Sequence, residues 1–329
     1  MTSASPLPPI SSVPLPPPFD GPVLVTGGTG TFGHALVRVA LERGLFPRFL
    51  IFSRDEYKQA MMAEAFGRDP RLRFYLGDVR DPDALALAMR TAPYVIHAAA
   101  LKQVDRSARD FPQFVQTNVV GTMNVVRACH AAGVRKCVVL STDKACEATT
   151  PYGATKAVAE WLAVTGSTYG PCRFAAVRYG NVLGSRGSVL EIWRKQLEAG
   201  GEILVTDPDM TRFWLTPEDA VALALYALAN LNGGEVFVPK DPPRSSVRDL
   251  ARSAFPLAPL RVVGKRAYEK SHEVLVSSEE LDRARDVGPC VVLVPPPPFV
   301  HWDPPPFGSD APGVTAPLRS NRPPRPATS

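Results

Sequence analysis

The chain's 329 residues are enough for one large α/β domain, or for a nucleotide-binding domain with a smaller lobe, and ample to bury a core. A formal net charge of +5 suits phosphorylated ligands, but without clustered basic runs it argues against a nucleic-acid partner. No run of about 18 apolar residues is available to cross a bilayer, no signal-like core follows a basic patch, and the five cysteines and five histidines lack metal-ligand spacing; a cytoplasmic protein with reduced thiols, no metal and no membrane partner is expected.

In chain order, residues 1–20 come first, with Pro6, Pro8, Pro9, Pro14 and Pro16 to Pro18; proline removes backbone donors, so an extended, mobile tail is expected. Short β-branched runs bounded by glycine or charge follow at 23–26, 49–53, 73–77, 94–98, 137–141 and 174–179, and read as buried parallel strands. Helical spacing separates them, as in Phe32, Leu36, Val37, Ala40 and later Val115, Val119, Thr122, Val125, Val126, Cys129. Such alternation predicts a doubly wound parallel sheet of Rossmann type over 21–185. Past Tyr179 the rhythm loosens, with helices predicted near 189–199 and 217–231 and strands near 203–206, 235–238 and 260–263; a smaller substrate lobe is expected over 186–294. The last stretch, 295–329, is again proline-rich, and both tails are expected to be dispensable for turnover.

The segment Thr26-Gly27-Gly28-Thr29-Gly30-Thr31-Phe32-Gly33 puts glycines at 27, 30 and 33 between a strand and a helix. A dinucleotide pyrophosphate needs a tight turn, close backbone approach and a helix N-terminus, and glycines at those places supply all three. The second strand ends in Ser53-Arg54 where an NAD enzyme usually carries a ribose carboxylate. A hydroxyl and a guanidinium fit a 2′-phosphate, with Lys58 as a second cation, so NADP is favoured; Asp55 next door keeps NAD open as the less favoured alternative. Asp78 and Val79 follow the third strand, where the acid accepts from the adenine amino group or caps a helix.

Tyr152 and Lys156, four apart, share one helical face, and a nearby ammonium lets the phenol take a proton from a substrate alcohol. Just before them lies Ser141-Thr142-Asp143-Lys144. With these residues the chain resembles the extended class of the short-chain dehydrogenase/reductase superfamily. Within it, the chain is similar to the soluble bacterial UDP-N-acetylglucosamine 4,6-dehydratases of inverting type. That likeness runs from about Pro22 to Val276 and includes Ser53-Arg54-Asp55-Glu56-Tyr57-Lys58-Gln59, His97-Ala98-Ala99-Ala100-Leu101-Lys102, Asn181-Val182-Leu183-Gly184-Ser185-Arg186, Met210-Thr211-Arg212-Phe213-Trp214 and Gly233-Gly234-Glu235-Val236.

The resemblance implies that Tyr152 and Lys156 oxidise carbon 4 of a nucleotide sugar against NADP, Lys144 takes the carbon 5 proton, Asp143 protonates the hydroxyl leaving carbon 6, and the hydride returns there. It places Ala98, Ala99 and Lys102 at the cofactor, and Lys102, Asn181, Arg186, Arg212, Arg266 and Glu269 at a UDP-sugar, with UDP-N-acetylglucosamine favoured. It also implies a homo-oligomer. As a base, Lys144 must be partly neutral, which calls for burial or neighbouring positive charge. Two stretches depart from the family pattern: Arg266-Ala267-Tyr268-Glu269-Lys270-Ser271-His272-Glu273, and Cys146 to Pro151 ahead of the tyrosine. These leave the sugar's identity open. A 4-epimerase or reductase is the alternative enzyme, and a silent NADP-binding regulator of the same fold the non-enzymatic one; Asp143-Lys144 argues against the first, Tyr152 with Lys156 against the second.

Overall fold

Seven runs form the parallel part of one nine-stranded sheet: β1 (Val23–Thr26), β2 (Phe49–Ser53), β3 (Leu72–Leu76), β4 (Tyr94–His97), β5 (Lys136–Leu140), β6 (Arg173–Val177) and, much later, β10 (Glu235–Pro239). The structure, a computed structural model, describes residues 13–266, 268–296 and 312–322. Helices α1 (Thr31–Glu42), α2 (Glu56–Ala65), α3 (Pro82–Met89), α4 (Val104–Ser107), α5 (Phe111–Phe114), α6 (Gly121–Ala131) and α7 (Pro151–Gly166) connect the first six strands. The spatial order runs β10-β6-β5-β4-β1-β2-β3, all parallel, with β1 between β4 and β2. Strand order reverses between β1 and β4, and a crevice at their carboxyl ends is where such a sheet takes its ligand.

Side-chain alternation sorts the sheet residues onto two cores. Val23, Val25, Ile51, Ile96 and Val138 pack with Leu36, Val37 and Ala40 of α1 on one face; Leu24, Leu50, Val95, Cys137 and Val139 pack with Leu85 of α3, Val125 of α6 and Ala163 of α7 on the other. Buried on both faces, these strands have no polar side to show, which is why they read as unbroken apolar runs. The doubly wound parallel sheet expected from the alternation is present.

The run 111–131 is helical throughout, as its spacing predicts, but widens to a π-helical stretch over Val115–Val120. Asn118 lies in that stretch and clamps the chain after β4: its Oδ1 accepts from Leu101 N at 2.8 Å and its Nδ2 donates to Leu101 O at 2.9 Å.

The rest of the chain is β7 (Asn181–Val182), α8 (Val189–Glu198), β8 (Ile203–Val205), β9 (Thr211–Leu215), α9 (Pro217–Asn230), β11 (Arg244–Ser246), α10 (Val247–Ala254), β12 (Leu260–Val262), β13 (Val274–Val276), β14 (Ala284–Asp286), β15 (Cys290–Leu293) and β16 (Leu318–Arg319). Apart from the main sheet, β11-β9-β7 and β12-β8 accompany a separate hydrophobic cluster of Leu183, Trp193, Ile203, Val205 and Trp214. They do not take up all of 186–294. Helix α9 joins the α1 face of the large core, and β10, β15 and β14 extend the main sheet, the last two antiparallel.

The tails also differ from the expectation where they are described. Val13 is buried in the core, Phe19 stacks on Phe46 at 4.6 Å, and Asp20 accepts from Tyr94 Oη at 2.7 Å. At the other end Val314 and Leu318 are buried, and β16 pairs antiparallel with β13. Proline density hid the apolar residues between the prolines that anchor these stretches. Residues 1–12, 297–311 and 323–329, where the remainder of the tail expectation falls, lie outside the described residues. Among the described residues no helix is long and apolar enough to cross a membrane, and no cluster of His, Cys, Asp or Glu is arranged to hold a metal ion.

Candidate active site

One cleft of about 1230 Å³ runs from the β1–α1 turn across the ends of β4 and β5 to the cluster around Trp193. That exceeds the span typical of one small ligand and leaves room for two side by side. At its nucleotide end, Gly27 has φ +65° and its Cα faces the backbone of Ala98 and Ala99, so an added Cβ would sit 2.8 Å from Ala99 N. An added Cβ at Gly33 would lie 1.9 Å from Gly28 O, so the turn cannot close on any larger residue. Asp55, Asp81, Thr150, Thr216 and Ser246 cap α2, α3, α7, α9 and α10 with their side chains, whereas α1 begins at Gly30 with no side-chain cap. Its first N–H groups are therefore left for a ligand, and the helix dipole favours an anionic one.

Beneath this turn, Thr26 Oγ1 lies 2.6 Å from His97 Nδ1 and accepts from Ala99 N at 3.3 Å. Burial drives the His97 pKa down to about 3, so the ring is a neutral strut between Thr26 and Thr122. At the end of β2, the Ser53 hydroxyl accepts from Gln59 Nε2 at 3.1 Å. Asp55 is committed to its own helix: its Oδ1 accepts from Lys58 N at 3.0 Å, and its Oδ2 pairs with Lys58 Nζ at 2.7 Å, which lowers its pKa. Arg54 stays more than half exposed, 3.7 Å from Asp78, while Asp78 is paired more closely with Arg80 at 2.7 Å. Val79 is buried, its carbonyl accepting from Asn124 Nδ2. The cleft wall thus offers an exposed, loosely paired guanidinium rather than a free carboxylate at this point.

The acid/base residues converge from four segments. Thr150 caps α7 through Gly153 N at 2.9 Å, which sets Tyr152 and Lys156 on the helix face turned to β5. Lys156 Nζ donates to Leu140 O at 2.6 Å, and burial lowers its pKa to about 8. Burial pushes Tyr152 up to about 12 against the pull of the Lys144 charge, so the phenol is protonated at rest. Lys144 Nζ lies 3.0 Å from Asp143 Oδ1, 3.0 Å from Asn181 Oδ1 and 3.3 Å from Glu273 Oε1. Asp143 is fully buried beneath Lys144; burial raises its pKa although Lys144 opposes the shift, and its Oδ2 has no hydrogen-bond partner.

The arrangement seen here favours the charged form of Lys144 over the partly neutral amine that a base needs. Burial does disfavour its charge, but Asp143 and Glu273 together outweigh burial and hold its pKa above the ordinary lysine value. Glu273 itself is held down to about 2: Lys144, Lys270 and Arg212 overcome the effect of burial. Sequence reasoning quoted Glu273 only as part of a motif; it lies 129 positions from Lys144 and no local spacing links the two.

On the sugar side, Lys102 Nζ donates to Ser185 Oγ at 3.2 Å, and burial with the neighbouring Arg186 charge lowers its pKa. Arg186 lies over the start of α1, its N–H 3.3 Å from Thr31 Oγ1, nearer the nucleotide end than a pure sugar contact requires. Arg266 lines the cleft and pairs with Asp105, and Glu269 accepts from Arg266 N at 3.2 Å. Arg212 also lines the cleft, with its guanidinium engaged by backbone. It is buried and donates to the carbonyls of Thr211, Ser271 and Lys270 at 2.8 to 3.1 Å, so its guanidinium ties β9 to the segment before Glu273.

Residues 23–295 match the family model described as polysaccharide biosynthesis protein. The chain is 43% identical over 262 residues to a UDP-N-acetylglucosamine 4,6-dehydratase (inverting) of Campylobacter jejuni, covering 78% of each. It is also 41% identical over 278 residues to a protein of Rickettsia rickettsii named UDP-glucose 4-epimerase, covering 82% of this chain and 81% of that one. Among solved structures, Pen from Bacillus thuringiensis superposes with a TM-score of 0.83 at 32% identity, over 92% of this chain and 94% of that one. The dTDP-glucose 4,6-dehydratase DesIV of Streptomyces venezuelae, solved with NAD bound, gives 0.69 at 27% identity, over 76% and 86%.

Proposed function

This chain belongs to the polysaccharide biosynthesis protein family, within the extended short-chain dehydrogenases/reductases, and from that premise we infer that it is a UDP-N-acetylglucosamine 4,6-dehydratase, inverting at carbon 5, that works with bound NADP. It is a hydro-lyase acting on a UDP-sugar, and its cofactor is a nicotinamide dinucleotide. One observation carries the reading: Lys144 and Asp143 stand in contact beside Tyr152, so the cleft holds an acid/base pair that simple oxidation of an alcohol does not need.

The glycine turn, uncapped α1 and the Thr26–His97 strut fit a pyrophosphate, and Arg54 fits a ribose 2′-phosphate better than a 2′-hydroxyl because Asp55 is already engaged with Lys58. When bound, the nicotinamide supplies a reversible two-electron acceptor next to carbon 4. Tyr152, protonated at rest, would first lose its proton to solvent as the Lys156 ammonium and the nicotinamide cation favour the phenolate, and then take the proton of the 4-hydroxyl as the ketone forms. The ketone makes the carbon 5 proton acidic; passing one proton from the Lys144 ammonium to the Asp143 carboxylate 3.0 Å away leaves Lys144 neutral to remove it and Asp143 protonated. Asp143, whose burial favours its neutral form, then gives that proton to the hydroxyl leaving carbon 6. Because its carboxyl lies under Lys144, that donation requires the lysine side chain to turn as the sugar enters. Arg266, Glu269, Lys102 and Arg186 line the path for the diphosphate and the sugar, with the guanidinium groups suited to phosphate oxygens.

Purified protein incubated with UDP-N-acetylglucosamine is expected to yield the 4-keto-6-deoxy product by mass spectrometry and NMR, with solvent deuterium at carbon 5 in deuterated water. The C4 epimer with no loss of water would instead assign the epimerase reading suggested by the rickettsial relatives, since epimerisation needs Tyr152 and the cofactor alone.

A further inference from the structure

Glu273 is a third member of the acid/base cluster, without a role in the chemistry just described. An ammonium has three protons to donate, and Lys144 has three acceptors within reach: Asp143 Oδ1 and Asn181 Oδ1 at 3.0 Å and Glu273 Oε1 at 3.3 Å. The Glu273 side chain is 3% exposed and its other oxygen pairs with Lys270 Nζ at 2.9 Å. Around this group stand Asp143 from the loop after β5, Tyr152 from α7, Arg212 from β9, and Lys270 from the segment ahead of β13. Removing Glu273 leaves the lysine one acceptor short and one negative charge poorer.

Glu273 is itself held from outside the catalytic segments. Its N–H donates to Ser320 Oγ at 2.8 Å, and Ser320 N donates back to Glu273 O at 2.9 Å. Ser320 Oγ reaches Thr211 O at 3.0 Å, and β16 lies antiparallel along β13 directly after Glu273. Leu318 is buried in the large core and anchors that strand. The proline-rich C-terminal region therefore comes within one hydrogen bond of a residue that touches Lys144.

We propose that Glu273 is a positioning residue that acts through Lys144, aiming its ammonium between Asp143 and Asn181 and stabilising its charge, and that the C-terminal segment around Leu318 and Ser320 holds Glu273 there. The catalytic half of this proposal rests on Lys144 being the base; the electrostatic half does not. A carboxylate within about 4 Å stabilises an ammonium by about one to three pH units.

The test uses full-length protein with lysine labelled at the ε carbon, the Lys144 resonance being identified by its loss in Lys144→Arg. In Glu273→Gln, which keeps the shape and removes the charge, Lys144 is expected to titrate at least about one pH unit lower than in the wild type. The acidic limb of the kcat/KM profile is expected to move the same way, with kcat down about 10- to 100-fold and KM little changed, as misaimed catalytic groups produce. Glu273→Asp is expected to restore the titration, and Ser320→Ala to give a smaller shift in the direction of the Gln variant. A Lys144 titration identical in wild type and Glu273→Gln would overturn the role of Glu273, as would no recovery in Glu273→Asp. Wild-type behaviour of Ser320→Ala would overturn the role of the C-terminal segment. Since the titration needs no turnover, a wild-type protein that forms no dehydrated product would defeat the dehydratase reading without deciding this one.

Discussion

The two ends of the cleft are made of different material. At the nucleotide end a single contiguous turn, Gly27 to Gly33, presents backbone to the ligand, and α1 leaves its N–H groups uncapped. At the sugar end, side chains from separate segments meet: Lys144 after β5, Tyr152 on α7, Asn181 on β7, and Glu273 ahead of β13. Backbone geometry is tolerant of which ligand of its class arrives, because every dinucleotide has a pyrophosphate. Side-chain constellations decide the reaction, since the same tyrosine and lysine serve simple oxidation until an acid and a base are added.

The sharpest way to break this comparison is to remove the added pair. Lys144→Ala and Asp143→Asn are each expected to lower formation of the 4-keto-6-deoxy product by about 10²- to 10⁴-fold, the usual contribution of a positioned acid or base. Cofactor affinity, measured by calorimetry, is expected to stay at the wild-type value, because neither residue belongs to the Gly27 to Gly33 turn or to the end of β2. A parallel loss of cofactor binding would mean that the two ends are one structural unit.

The converse change is Gly33→Ala. The new methyl would stand 1.9 Å from Gly28 O and 2.5 Å from Gly28 C, against backbone with no flexible side chain to yield. Forcing it in is expected to cost about 1–3 kcal/mol as the turn shifts, read as a fall of about ten- to a hundredfold in cofactor affinity. Turnover at saturating cofactor should be much less affected than in Lys144→Ala.

That asymmetry also explains what was legible in the sequence. The glycine turn, the strands with their parallel order, and Tyr152 with Lys156 depend on local spacing of 2, 3 or 4 residues, and the structure puts each where that spacing implies. Glu273 meets Lys144 only because β13 and the strand β5 are brought together by the fold, and the charged state of Lys144 follows from that meeting. Arg212 shows the same limit: an arginine in a motif looks the same whether its guanidinium is open to phosphate or, as here, lines the cleft while donating to three carbonyls. The docked stretches 13–20 and 312–322 were read as tails because composition averages over Val13, Phe19, Val314 and Leu318, the few residues that bury themselves.

A smaller effect tests the specificity of the nucleotide end. Arg54 is more than half exposed, and its only ion pair among those described is the 3.7 Å approach to Asp78. Arg54→Ala is expected to weaken NADP about tenfold, the loss of a single charged hydrogen bond to the 2′-phosphate, while leaving NAD within about twofold. Calorimetric titration with both cofactors checks it; equal losses would remove Arg54 from 2′-phosphate recognition.

The smallest effect is expected at Arg319, and it separates two ways a docked segment is held. Arg319 lies beside Ser320 on the strand that braces Glu273, and its guanidinium pairs with Glu147 at 2.8 Å. Both side chains are about one-third exposed, so water screens the pair and the ordering of two long side chains offsets much of the attraction. Arg319→Ala is therefore expected to change unfolding free energy by no more than about 1 kcal/mol. The titration of Lys144 is expected to be unchanged, because the bonds that reach Glu273 run through the Ser320 hydroxyl and backbone rather than through this guanidinium. Chemical denaturation gives the first quantity and the labelled-lysine titration the second. A large loss of stability with Lys144 displaced would show that the strand is held by its surface charge, and would move the anchor of the sugar end from the buried Leu318 and Ser320 to the rim.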